Sequence, residues 1–454
     1  MKVFIIETTS LGDRSYLVAE DGIAVVIDPQ RDIDRVLDMA REEGVRITHV
    51  LETHIHNDYV TGGLELSRTV GAQYVVPAGD DVDYERRAVE DGDLIDAGPI
   101  RLRAMLTPGH THHHTSYVLL EPAGSAVAAF TGGSMLHGTT GRTDLLGEEH
   151  TQELTQAQFH SVRRLADALP DDAVVYPTHG FGSFCSATPG DDGATTVADQ
   201  RHTNPALTRA EEQYVEELIA GLSAYPTYYA HMGVINRSGP APVDLSMPIR
   251  FDPAELRRRI DAGEWVVDLR RRTAFAAGHL DGSLGFELST SFITYLGWLH
   301  QWGAALTLIG EDERQIEDAR RELVRIGIDR VDGSAVGDVS QLANGTALRS
   351  YRVVDFRELA ATARHGLTIL DVRQRSEYED AHIDGALNVP LQELATRLRE
   401  VPNGEVWVHC GSGYRASIAA SILDRDERAV VLVDDSFGNA ARFGLIGREG
   451  TDAA

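Results

Sequence analysis

The chain has 454 residues, with 42 Lys and Arg against 70 Asp and Glu, a formal net charge of −28. That length calls for roughly two to four domains of about 100–200 residues. The acidic surface repels phosphate backbones and anionic lipid, so neither nucleic acid nor membrane is an expected partner.

The opening run Met1-Lys2-Val3-Phe4-Ile5-Ile6 meets Glu7 before a signal-peptide core can form, and no later stretch reaches a membrane span, so a cytoplasmic protein is expected. Only Cys185 and Cys410 occur, which excludes a disulfide framework and favours two free thiols. Residues 1 to 200 alternate short apolar strands (24–28, 47–51 and 126–130) with helical stretches and histidine-bearing turns, an α/β layered pattern. Residues 207–232 read as an amphipathic helix and a tyrosine-rich turn. Ser238-Gly239-Pro240-Ala241-Pro242 then reads as a linker, placing a boundary near residue 245.

Beyond it lies an internal repeat. Val267-Asp268-Leu269-Arg270 matches Leu370-Asp371-Val372-Arg373, and Gly278-His279-Leu280-Asp281-Gly282 matches Ala381-His382-Ile383-Asp384-Gly385, both at an offset of 103 residues. So long a period means a duplicated domain rather than a solenoid, and each copy alternates strands with helices, hence a small parallel sheet.

In the second copy, Glu405-Val406-Trp407-Val408-His409 is a strand, Cys410-Gly411-Ser412-Gly413-Tyr414-Arg415 a glycine-rich turn, and residues 416–423 have helical character. Cys410 therefore faces a helix N-terminus, where unpaired N–H groups and the helix dipole favour a thiolate or a persulfide. Two glycines let Gly411, Ser412, Gly413 and Tyr414 curl around an anion, and Arg415 adds a fixed positive charge. A cysteine phosphatase uses the same physics with a longer loop, wide enough for a phosphoryl group. The tighter loop here, with Asp371-x-Arg373 and His382-Ile383-Asp384-Gly385-Ala386 upstream, resembles the rhodanese family of sulfurtransferases over residues 350–440. The first copy's segment Leu306-Thr307-Leu308-Ile309-Gly310-Glu311-Asp312-Glu313-Arg314 has no cysteine and resembles an inactive rhodanese domain.

In the front part, Thr53-His54-Ile55-His56-Asn57-Asp58-Tyr59 follows a strand and is joined by Thr107-Pro108-Gly109-His110-Thr111, Phe130-Thr131-Gly132-Gly133 and Pro177-Thr178-His179-Gly180. Imidazoles recurring at strand ends suit iron or zinc, whereas His112, His113 and His114 read as ordinary structural residues. The combination resembles the metallo-β-lactamase fold over residues 1–200, best matching its persulfide dioxygenase branch, whose members are often fused to rhodanese domains. Where the hydrolase branch usually has His, this chain has Tyr59, which disfavours a second metal.

That resemblance implies a mononuclear site with His54 and His110 as iron ligands and His56, Asp58 and His179 lining a vestigial second site. The family's third ligand is an Asp in T-G-D-x-L, but this chain reads Thr131-Gly132-Gly133-Ser134-Met135, so Gly133 replaces it. Asp58, His56, His137, His179 or a water could complete the shell, or the metal could be lost. Cys185, on a glycine-rich turn six residues after His179, is either a second sulfur site or an ordinary loop cysteine.

The expected fold class is α/β: a metallo-β-lactamase αββα sandwich with a helical extension (1–245), a rhodanese-like domain without the catalytic Cys (246–347) and a rhodanese domain carrying Cys410 (348–454), both with parallel sheets. The resemblance implies a persulfide dioxygenase–sulfurtransferase fusion using one Fe(II) per chain, with Zn as the alternative. Its partners would be a small thiol persulfide and sulfite or thiosulfate, and a homo-oligomer is compatible with it. Competing readings are a thioester hydrolase of the glyoxalase II kind and a sulfurtransferase whose front domain is a metal-free persulfide-binding module.

Overall fold

The computed structural model describes residues 1–188, 195–362 and 366–446, so residues 447–454 of the third expected domain lie outside the described residues. The chain divides into two compact units, one of Met1–Asp244 with Arg321–Asp329, the other of Leu245–Arg320 with Arg330–Ala454.

The first unit holds two facing sheets. One has six strands in chain order: Lys2–Thr8, Asp13–Glu20, Ile23–Ile27, Arg46–Leu51, Gln73–Pro77 and Arg87–Val89. The other orders Val174–Pro177, Ala126–Gly132, Thr115–Leu120, Ile100–Leu106 and Leu94–Ala97. Alternate side chains of both sheets, among them Tyr16, Val25, Ile27, Leu51, Leu102, Tyr117 and Phe130, form a shared core. The outer face of the first sheet packs on helices Asp34–Glu42 and Gly63–Val70. The outer face of the second packs on Glu148–Ala168 and Glu211–Gly221. The result is an αββα sandwich of the metallo-β-lactamase type. The helix expected within 207–232 is two helices, Glu211–Gly221 and Tyr229–Ser238, because Pro226 in the tyrosine-rich turn cannot donate to a continuous helix.

The second unit holds two separate, wholly parallel sheets. The four-stranded one orders Leu284–Gly285, Trp265–Asp268, Leu306–Gly310 and Gly333–Val336. The five-stranded one orders Arg352–Val354, Ala429–Val433, Glu405–His409, Thr368–Asp371 and Leu387–Asn388. Their central strands are buried nearly end to end, as strands covered on both faces must be. Register aligns the repeats: Asp268 pairs with Ile309 as Asp371 pairs with His409, so Gly310 occupies the place of Cys410. No helix among the described residues is long and apolar enough to cross a membrane.

Candidate active sites

Four turns leaving the C-terminal ends of strands in both sheets of the first unit converge on one buried cluster. His54 follows Arg46–Leu51, His110 follows Ile100–Leu106, Gly133 follows Ala126–Gly132, and His179 follows Val174–Pro177. The rings of His54, His110 and His179 are fully buried, with centroids 4.8 Å (His54 to His110), 5.3 Å (His110 to His179) and 5.4 Å (His54 to His179) apart. One nitrogen from each lies within 4.8 Å of the others.

Asp28 organises these turns. It sits at the end of strand Ile23–Ile27 with φ of 50°, a left-handed conformation, and accepts hydrogen bonds from Thr53 N (2.7 Å), Thr53 Oγ1 (2.7 Å) and Thr178 Oγ1 (2.5 Å). Burial alone would raise its carboxyl, but His56 and these donors hold it below its ordinary value. His56 Nε2 lies 3.3 Å from both Asp28 and Glu52 and 3.0 Å from the Tyr59 hydroxyl, whose ring stacks on it at 4.3 Å. Against the cost of burial, those two carboxylates push His56 up to about 9. His179 Nδ1 lies 2.9 Å from Asp13 and 3.2 Å from Asp58. Burial works against its charge too, yet Asp58 and Asp13 push it up to about 10, while burial and the neighbouring imidazole of His179 bring His110 down to about 3.

The structure thus gathers His54, His56, Asp58, His110 and His179, and adds Asp13, Asp28 and Glu52, which motif reading missed. Asp28 and Glu52 each end an apolar strand beside a histidine turn, a signal that could have flagged them. Asp13 carries no local signal. Gly133 lies against the His110 ring: a Cβ there would sit 2.2 Å from His110 Cδ2. His114 supports the Gly133 turn, accepting from Gly133 N at 3.0 Å, with Thr107 Oγ1 2.8 Å from its Nδ1. His113 pairs with Asp80, His112 meets His150 edge to face, and His137 Nε2 meets the Val175 carbonyl, so none of these three joins the cluster.

A cleft of about 640 Å³ opens beside the cluster, lined by Asp13, Arg14, Phe181, Ser183, Phe184 and Thr188 among others. Arg14 stacks its guanidinium on Phe181 at 3.5 Å. Cys185 is turned into the core with its thiol 3.9 Å from the Tyr229 hydroxyl, and burial pushes that thiol well above its usual value.

In the second unit, Cys410 ends strand Glu405–His409, and helix Tyr414–Arg425 begins just beyond it, capped by Gly413 at φ of 88°. The N–H groups of that first turn have no intrahelical acceptors and face the loop. Arg415 is held against Glu377 by two hydrogen bonds, and Glu377 stays below its ordinary value because, although burial raises it, the Arg415 bonds and charge outweigh burial. Glu377 is a site residue that motif reading did not single out. The Tyr414 hydroxyl donates to the Glu287 carbonyl, and its ring lies 5.9 Å from that of Tyr295. Arg272 bridges Glu287 and Asp434 behind the loop. Asp371 grips Arg373, which also reaches the Ala381 carbonyl at 2.7 Å.

Two family models match the chain: the metallo-beta-lactamase superfamily over residues 12–179 and the rhodanese-like domain over residues 355–440. The mitochondrial persulfide dioxygenase ETHE1 of Homo sapiens is 31% identical over 245 residues, 53% of this chain and 81% of the relative. The chain belongs to the persulfide dioxygenase family. The Bos taurus ETHE1 is 32% identical over 46% of this chain and 74% of its own length. A solved metallo-beta-lactamase structure from Staphylococcus aureus subsp. aureus COL superposes with a TM-score of 0.66 at 29% identity, covering 74% of this chain and 99% of that one. The chain joins a metallo-beta-lactamase domain of that family to a rhodanese-like domain, and is an enzyme of sulfur metabolism.

The donor set of this family member fits a metal cation. His110 Nε2 is a buried acceptor without a hydrogen-bond partner, and it shares a dry interior with nitrogens of His54 and His179 within 4.8 Å, a group that a cation stabilises.

Proposed function

We propose that the chain oxidises low-molecular-weight thiol persulfides to sulfite in its front domain and transfers sulfane sulfur through Cys410 to give thiosulfate. The reading assigns residues 1–245 to the oxygenase, 246–347 to a rhodanese-like domain without a nucleophile, and 348–454 to the active rhodanese. The observation that carries it is the presence in one chain of a buried histidine cluster with unpartnered ligand atoms and a Cys410 loop facing a helix start.

In the first reaction R–S–SH, O2 and water give R–SH, sulfite and two protons. His54 and His110 are the proposed ligands, and Fe(II) held by them supplies the redox chemistry with oxygen. Asp13 links the cleft to the cluster through His179, and Arg14, lining the cleft beside it, presents the positive charge that an anionic persulfide and its carrier meet. In the second reaction the Cys410 thiolate attacks the outer sulfur of a persulfide, a thiolate leaves, and Cys410–S–S⁻ remains. Sulfite then attacks that outer sulfur, forming thiosulfate and regenerating the Cys410 thiolate. Gly411, Ser412, Gly413 and Tyr414 cradle the terminal sulfur, and the fixed charge of Arg415 steadies it.

The test is oxygen uptake on glutathione persulfide together with thiosulfate formation, for the wild type and Cys410→Ser. The expected variant consumes oxygen and accumulates sulfite without thiosulfate. Full sulfur transfer by Cys410→Ser would overturn the nucleophile. A protein that holds iron yet consumes no oxygen would overturn the dioxygenase.

A further inference from the structure

Three buried groups of potential metal ligands occur among the described residues: His54, His110 and His179; His56, Asp58 and His179; and Asp28, Glu52 and His56. They differ in whether their lone pairs are free. In the third group His56 Nε2 sits between the two carboxylates, 3.3 Å from each, so the nitrogen carries the proton they bind. In the second, the His179 atom facing Asp58 is Nδ1, which Asp13 also contacts, so it too is a donor.

The first group is arranged the other way round. The Thr53 hydroxyl donates to Asp28 at 2.7 Å, so at 2.8 Å from His54 Nδ1 its oxygen must accept, and His54 Nε2 is left as the unprotonated nitrogen. His110 Nδ1 faces the Arg142 carbonyl at 2.8 Å, which can only accept, and His110 Nε2 is bare, buried and without a partner. His179 Nδ1 faces the Asp13 carboxylate at 2.9 Å and directs Nε2 to within 3.4 Å of His54 Nε2, where a bound ion takes the place of the proton held between the two nitrogens. Each histidine spends Nδ1 on an oxygen behind it and turns Nε2 inward, the arrangement that orients imidazoles around an ion. Two nitrogens on a tetrahedral ion with bonds of about 2.0–2.1 Å lie about 3.3 Å apart, close to the observed separation.

Gly133 gives the second line of argument. With a Cβ 2.2 Å from His110 Cδ2 and 2.6 Å from Cγ, no side chain fits at residue 133 while His110 stays in place. The ring fills the space that a carboxylate would need.

We infer that His179 replaces the missing aspartate, so that His54, His110 and His179 form a three-histidine site for one divalent first-row metal ion, with Asp13 and Asp58 supplying negative charge behind His179. The inference concerns ligation alone and stands whether or not the domain oxidises persulfides.

The experiment is titration of the metal-free full-length protein with Co(II), read by its visible ligand-field bands, with Zn(II) competition for affinity. Wild type binds one ion per chain. His179→Gln keeps an amide donor for Asp13 and the native melting temperature, and is expected to lose roughly 100-fold in affinity. His179→Gly regains the cobalt bands when imidazole is added. Gly133→Asp in the His179→Gln background does not restore binding. Wild-type affinity and spectrum in His179→Gln, or recovery through Gly133→Asp, would overturn the inference.

Discussion

Arg415 donates through Nη1 to Glu377 Oε2 at 2.5 Å and through Nη2 to Oε1 at 2.9 Å, a two-pronged clamp that fixes the guanidinium beside the Cys410 loop. A lysine ammonium cannot span both oxygens. Arg415→Lys is expected to keep the fold but lower kcat for sulfur transfer to cyanide by about tenfold, a loss of about 1.4 kcal/mol. A variant with wild-type kcat would show that charge alone suffices.

Gly413 adopts φ of 88°, and a Cβ there would lie 1.8 Å from Asp434 Oδ1. Gly413→Ala combines left-handed strain with a collision against a carboxylate already tied to Arg272, so a cost of about 2 kcal/mol is expected in urea unfolding of the second unit. Sulfur transfer falls with it. Unchanged stability would mean the loop relaxes freely.

Acid sensitivity is expected at Asp424, which accepts from His279 Nε2 at 3.0 Å and from Arg349 at 2.8 and 2.9 Å. Burial raises its carboxyl, but these partners outweigh burial and leave it below its ordinary value. A depressed carboxyl stabilises the fold above its unfolded value of about 4, and that contribution disappears as pH falls through the folded value. Asp424→Asn should therefore melt below wild type at pH 6, with the gap closing as pH falls below the ordinary carboxyl value of about 4. A gap constant with pH would assign the loss to hydrogen bonding instead.

In the first unit, Asp28→Ala strands the Thr53 N–H, two hydroxyls and one side of His56 in the interior. Breaking such a network costs about 3–5 kcal/mol. Chemical denaturation should show this loss, along with weaker metal binding, since Thr53 no longer orients His54. Retention of both would contradict the role assigned to Asp28.

Cys185 should resist iodoacetamide at pH 8 in the native protein and react once urea exposes it, because burial holds its thiol protonated. Peptide mapping by mass spectrometry reads the outcome. Rapid native labelling would reopen it as a second sulfur site.

The elements were legible where apolar runs ended in chemistry-bearing turns. Strands at 24–28, 47–51, 126–130 and 405–409, and the helix after Cys410, lie within a residue or two of their observed bounds, because strand burial writes itself into short apolar runs. Pairings across the chain were not legible. His54 meets His179 across 125 positions and Arg415 meets Glu377 across 38, distances over which no local pattern reports. Glu377 stood between the two aligned segments of the repeat, yet nothing there disclosed its partner. His179 was visible as a histidine turn, but which of its nitrogens faces inward depends on Asp13, from the opposite end of the domain.

The two copies in the second unit hold the same Asp–Arg grip to within a few tenths of an ångström. Arg270 Nη2 lies 2.6 Å from Asp268 and 2.9 Å from the Gly278 carbonyl, and Arg373 Nη2 lies 2.6 Å from Asp371 and 2.7 Å from the Ala381 carbonyl. That grip ties a strand of each sheet to the end of the following helix, directly across from the residue that precedes Cys410 in one copy and Gly310 in the other. The frame persists even where the nucleophile is absent. One copy therefore keeps the scaffold of a reactive loop while residues 310–315, already running into helix Glu313–Arg325, carry acids in place of the nucleophile.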